Sequence, residues 1–136
     1  MDELAAELPA GSPRAAYERG SAFDSTGHSD KAVPLYREAL ARGLDDSLRR
    51  QAVIQLASSL RNLGEADASV RLLEAERDRT SDELDDAVTA FLALALLDAD
   101  REREAAAILL EALAKHLPRY QRSAANYARA LTDQAG

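Results

Sequence analysis

The chain of 136 residues has no cysteine and no tryptophan, and only 4% of it is aromatic. Without cysteine there is no disulfide framework, no thiolate zinc site and no cysteine nucleophile. With so few rings, a core must be built from leucine and alanine; both are strong helix formers, and alanine lets backbones approach closely. Lysine is scarce as well, two residues against fifteen arginines, and the net charge is -7 with a pI near 4.8. That balance excludes a general nucleic-acid binder, which needs a basic footprint against phosphate. Long apolar runs are also missing. The most apolar stretch, 88–97, is about half of what a bilayer span requires, and "MDELAAELPAGSPRAA" resembles neither a secretory signal nor a transit peptide. The expectation is therefore a cytoplasmic chain with no membrane and no nucleic-acid partner.

What is present is a spacing. In "GSAFDSTGHSDKAVPLYREAL", Gly20, Phe23, Gly27, Ala32, Tyr36 and Ala39 follow one another at intervals of 3, 4, 5, 4 and 3. A shift of 37 residues lands on Ala57, Leu60, Gly64, Ser69, Leu73 and Glu76, and a further 36 on Ala93, Leu96, Asp100, Ala105, Leu109 and Ala112. A last shift of 35 finds Ala128 and Leu131. Ala16, Gly20 and Phe23 share one face of a first helix, and Ala32, Tyr36 and Ala39 share one face of a second, with Gly27 as a left-handed terminator between them. Each unit is thus a helical hairpin in which Gly20 and Ala32 permit close contact.

These signals predict helices near 13–26, 30–42, 46–62, 65–79, 82–98, 101–116 and 119–134, with a short segment at 2–8 and no strand. Ser12 and Pro13 read as N-cap and first helical residue, Ser29 and Asp30 open the next helix, and Thr80 with Glu83 has capping-box spacing. Pro34, just inside the second helix, should bend rather than break it. Pro118 separates the sixth helix from the seventh.

The pattern resembles the tetratricopeptide repeat, whose units of about 34 residues carry small and large apolar residues in that order. The chain is also similar to small stand-alone bacterial proteins of about three such repeats. Ser69, Glu76 and Asp100 depart from the pattern. The resemblance implies an all-α, right-handed α-solenoid: an N-terminal segment 1–12, then one domain 13–136 with repeats at 13–45, 46–81 and 82–118 and a capping helix at 119–134. It further implies a protein-binding scaffold that holds a peptide or helix in the concave groove lined by the first helix of each pair.

Counted from the packing residues, Arg14, Tyr17, Ser21 and Asp24 face that groove, followed by Gln51, Ile54, Ser58 and Arg61. Ala87, Ala90, Phe91, Leu94 and Leu97 continue it, and Arg122, Ala125 and Arg129 close it. Chaperone-binding members grip a terminal carboxylate with lysine, arginine and asparagine here. Tyr17, Ser21, Ala87 and Phe91 stand in that neighbourhood instead, which argues against such a clamp.

In "DDAVTAFLALALLDAD", Leu92, Ala93 and Leu96 satisfy the core, leaving Ala90, Phe91, Leu94 and Leu97 in surplus. Two readings are open: internal cover by neighbouring helices, or a surface for a partner or for a second copy, making a structural homodimer. Charge is uneven too. From Glu65 to Asp86 nine acids stand against three arginines, whereas Arg119, Arg122 and Arg129 precede the lone acid Asp133. His28 and His116 are isolated from each other, Ser58 and Ser59 lack a nearby base, and no phosphate loop is present, so neither catalysis nor a cofactor nor a metal is expected.

Overall fold

The computed structural model describes residues 11–133, so the expected segment at 2–8 lies outside the described residues. Seven helices follow one another among them: α1 (Pro13–Ser25), α2 (Ser29–Arg42), α3 (Asp46–Asn62), α4 (Ala66–Arg79), α5 (Asp85–Asp98), α6 (Glu102–Ala114) and α7 (Gln121–Asp133). They form three hairpins and a closing helix, an all-α helical repeat solenoid.

The first hairpin follows its sequence closely. Ser12 caps α1, its hydroxyl accepting the Ala15 N–H at 3.0 Å with Pro13 at the first helical position. Gly27 turns the chain at φ 80°, and Gly64 repeats that turn at φ 84°. Asp100 takes the same place at φ 61°, a left-handed conformation that an aspartate tolerates better than most side chains. A Cβ on Gly20 would lie 2.9 Å from the Tyr36 ring, so α1 meets α2 through the missing side chain. Helix α2 runs uninterrupted through Pro34.

Two apolar clusters hold the stack together. The first joins Tyr17, Ala32, Val33, Tyr36 and Ala39 of the first hairpin to Ala52, Leu56 and Leu60 of α3. The second joins Ile54 and Ala57 of α3 to Val70 and Leu73 of α4, Val88, Leu92 and Leu96 of α5, and Ala105 of α6. Each hairpin thus covers the open face of the one before it.

Two cap expectations are corrected. His28, not Ser29, precedes α2 and offers no side-chain cap. Thr80 ends α4, and α5 starts only at Asp85, so Thr80 and Glu83 form no capping box. The reason is a guanidinium. Arg50 on α3 is 2% exposed and draws the 80–85 turn around itself, bonding Asp82, Asp85 (2.7 Å) and the Thr80 carbonyl (3.2 Å). Asp82 and Asp85 in turn accept backbone N–H groups of Leu84 and Asp82, so the carboxylates brace the turn in place of a hydroxyl.

Candidate functional site

Two of the departures from the repeat pattern, Ser69 and Glu76, are buried polar groups. The Ser69 hydroxyl, 1% exposed, donates to the Ala57 carbonyl at 2.7 Å. Glu76, where the other hairpins carry Ala39 and Ala112, is 2% exposed and accepts from Arg49 at 2.7 Å, with Arg50 Nε 3.4 Å away. A buried charge persists only when paired, and this one is paired on two sides. Sequence reasoning missed Arg49 and Arg50, because adjacent arginines on a helix look like a solvated face. The signal available was Glu76 itself, an acid at an alanine position that needs a buried cation.

Hydrogen bonds to Ser81, to the Asp82 N–H and to Arg50 lower the Asp85 pKa to about 2. Burial, followed by the neighbouring Asp24 carboxylate, pushes the Tyr36 phenol above its ordinary value.

Ten of the residues expected to face the groove divide into three groups. Tyr17 and Ile54 are buried, at 6% and 7% exposure, and belong to the two cores. Tyr17 packs its ring 6.0 Å from that of Tyr36 and reaches Gln51 Oε1 at 3.4 Å. Neither can act as an open anchor. Asp24 and Arg61 are engaged across repeats. Asp24 accepts from Tyr36 Oη at 3.0 Å and from Ser59 Oγ at 2.9 Å, and Arg61 Nε lies 2.8 Å from Asp98 Oδ2 on α5. They staple neighbouring first helices to one another, so neither is free to orient a ligand. The third group is accessible: Ser21 and Ser58 are half-buried, Ala90 is exposed, Phe91 is half-buried against the second core, and Leu94 and Leu97 are 38% and 43% exposed.

The groove face therefore has a polar half and an apolar half. Between α1 and α3, Ser21, Asp24, Ser25 and Gln55 line a shallow open hollow. On α5, Ala90, Leu94 and Leu97 form an apolar ridge beside the Arg61–Asp98 pair. Helix α7 does not cover that ridge; it packs on α6.

His28 is exposed and sets its ring edge-on to Phe23, with centroids 6.3 Å apart. His116, just past α6, places Nε2 2.9 Å from Asp86 Oδ2, both exposed. Among the described residues no three His, Cys, Asp or Glu side chains converge as metal ligands, and no helix is long and apolar enough to cross a membrane.

A family model described as tetratrico peptide repeat matches residues 13–131. No curated protein and no solved structure matches the chain. The match spans all three hairpins and most of the closing helix, and the chain belongs to the tetratrico peptide repeat family.

Proposed function

We propose that the chain is a protein-binding scaffold that seats an amphipathic helical or extended segment of a partner protein on the face made by α1, α3 and α5. The family supports an interaction role. The observation that carries the finer reading is the α5 ridge. Leu92, Ala93, Ala95 and Leu96 are buried, yet Leu94 and Leu97 stay open on the first-helix side, with Ala90 one turn away. Two leucines three residues apart match the apolar stripe of a docked helix, which reads as contacts at i, i+3 and i+4. Ser21, Ser58 and Gln55 would then meet the partner's polar groups, while Asp24 and Arg61 hold the first helices at fixed separation.

The experiment is affinity capture from native extract, followed by titration of each identified partner against wild-type and the Leu94→Glu, Leu97→Glu double variant. Both positions are more than a third exposed, so the double variant should still fold, which its helicity checks. Capture should be lost. Undiminished affinity of every partner for the folded double variant would place the binding surface elsewhere.

A further inference from the structure

The end of the solenoid is not closed in the way its interior is. In α2 and α4 the positions occupied by Val33 and Tyr36, and by Val70 and Leu73, are buried because the next first helix covers them. The same register in α6 holds Ala106 and Leu109, and both are exposed. Helix α7 is the next first helix by sequence, since a shift of 35 residues lays Gln121–Asp133 on 86–98 of α5. It docks on another side. Ala107 and Ala114 of α6 are buried beneath it, whereas the equivalent Pro34, Ala41, Arg71 and Asp78 are all exposed. That seat lies roughly 100° further round α6 than Leu109. In it α7 does not touch α5.

The displacement leaves an unfilled helix site. In the interior, α5 is held between two walls, Ile54 and Ala57 of α3 and Val70 and Leu73 of α4. The same positions one repeat later are Ala90 and Ala93 of α5 and Ala106 and Leu109 of α6. Leu97 extends the first wall, at the position from which Asp24 and Arg61 reach the next first helix. Leu113 extends the second, at the position of Leu40, which packs against the first core. Leu97, Leu109 and Leu113 are 43%, 43% and 54% exposed. The α5 ridge and the α6 leucines are thus two sides of one slot.

We propose that α7 is a lid: it exchanges between its seat on α6 and the slot, and in the slot it closes the α5 ridge to a partner. The regulatory half of this rests on the reading of that ridge as the partner's seat. Three observations name α7 as the occupant. Its register fits, because Ala128 and Leu131 repeat buried Ala93 and Leu96, and exposed Tyr127 stands at the position of buried Leu92. Its tether reaches, because residues 43–45 suffice between α2 and α3 and 80–84 between α4 and α5, while 115–120 precede α7. Its seat on α6 is entered through Tyr120 at φ 70°, a strained conformation for a bulky side chain that is itself 74% exposed. Apolar burial scales with area, so trading Ala107 and Ala114 for Leu97, Leu109, Leu113 and Tyr127 favours the slot. Against it, Ser123 takes the position of buried Ala52 and Val88, and the bond from Arg103 to the Leu131 carbonyl is given up. Opposed terms of this kind make an element bistable. Closure covers the ridge because Ile54, the register partner of Ala90, is buried, and Arg61, that of Leu97, is engaged by α5.

The test is a disulfide. Asp24 of α1 meets Ser59 of α3 at 2.9 Å, and the same pair of positions between α5 and α7 is Leu97 and Ala130. With α7 on α6 these two cannot be bridged, since α5 and α7 are apart and a disulfide needs Cα atoms within about 7 Å. Mild oxidation of a dilute Leu97→Cys, Ala130→Cys chain should nevertheless close the bridge within one molecule of 14.7 kDa. A Leu97→Cys, Arg122→Cys chain should stay open, because Leu97 lies near the end of α5 and Arg122 near the start of α7. Adding Ser123→Ala should speed closure of the first pair and Tyr120→Gly, which relieves the seat on α6, should slow it, each about threefold or more. Closure should also lower the fluorescence of bound anilinonaphthalene sulfonate, a dye for exposed apolar surface, relative to the same chain reduced. No bridge, a bridge only between molecules, equal closure of both pairs or rates indifferent to residues 120 and 123 would overturn the lid, and unchanged dye binding would overturn its cover of the ridge. None of these readouts needs a partner, whereas the ridge reading fails on capture by the Leu94, Leu97 double variant, so the two failures are distinguishable.

Discussion

Leu73 and Leu109 stand at the same position of consecutive hairpins, and one is fully buried while the other is 43% exposed. The residue type is identical and the helices are alike, so the difference comes from the neighbour. Leu73 has Val88 and Leu92 of α5 against it, whereas α7 has swung onto the Ala107–Ala114 side and left Leu109 open. Burial in a solenoid is a nearest-neighbour property, and a repeat pattern specifies which face wants cover without supplying it. The backbone shows where the swing occurs: Pro118 follows α6, and Tyr120 enters α7 at φ 70°. A left-handed residue at that point redirects the following helix.

The comparison breaks most visibly at the covered junction. Removing Arg50 leaves buried Glu76 with Arg49 alone and takes the shared cation from Asp82 and Asp85, and Arg50→Ala should cost about 3–5 kcal/mol in urea denaturation. A loss below about 1 kcal/mol would mean that the cluster opens to water and braces nothing.

Leucine truncation sharpens the contrast next. Leu73→Ala should cost about 2–5 kcal/mol, whereas Leu109→Ala, half in solvent already, should cost less than half of that. Equal costs would show that α7 covers both faces alike.

The smallest effect is in pH. The Asp85 carboxyl, depressed from 3.8 to about 2, stabilises the fold above the unfolded value and loses that contribution as pH falls from about 4 to about 2. Asp85→Asn should flatten this acid limb. Because Asp85 is substantially exposed, the difference should be small, and an unchanged limb would remove Asp85 from the acid response.

Much of the architecture was legible because it rests on local chemistry. Ser12 and Pro13, Gly27 and the Gly20–Tyr36 contact are decided within one hairpin, and their sequence pattern states them. The 82–85 start of α5 was not legible, because a cation 32 residues away on α3 sets it. Tyr17 and Ile54 were misplaced by about one helical position, a rotation that turns a groove residue into a core residue. Asp24 and Arg61 reach across neighbouring first helices, and nothing in their spacing announced that Tyr36, Ser59 and Asp98 already occupy them. The α5 ridge was visible as apolar surplus in "DDAVTAFLALALLDAD". The displacement of α7 was not, since the 35-residue shift aligns Ala128 correctly and says nothing of the side on which it docks.

The absence of native cysteine makes the central contrast directly measurable. Leu73→Cys and Leu109→Cys chains would each carry a single thiol, and their reaction with a maleimide can be timed at a concentration where light scattering shows only monomer. Fast labelling is expected at 109 and protection at 73. Protection at 109 equal to that at 73 in the dilute monomer would contradict it, since α7 or another part of the chain would then cover the end of the solenoid.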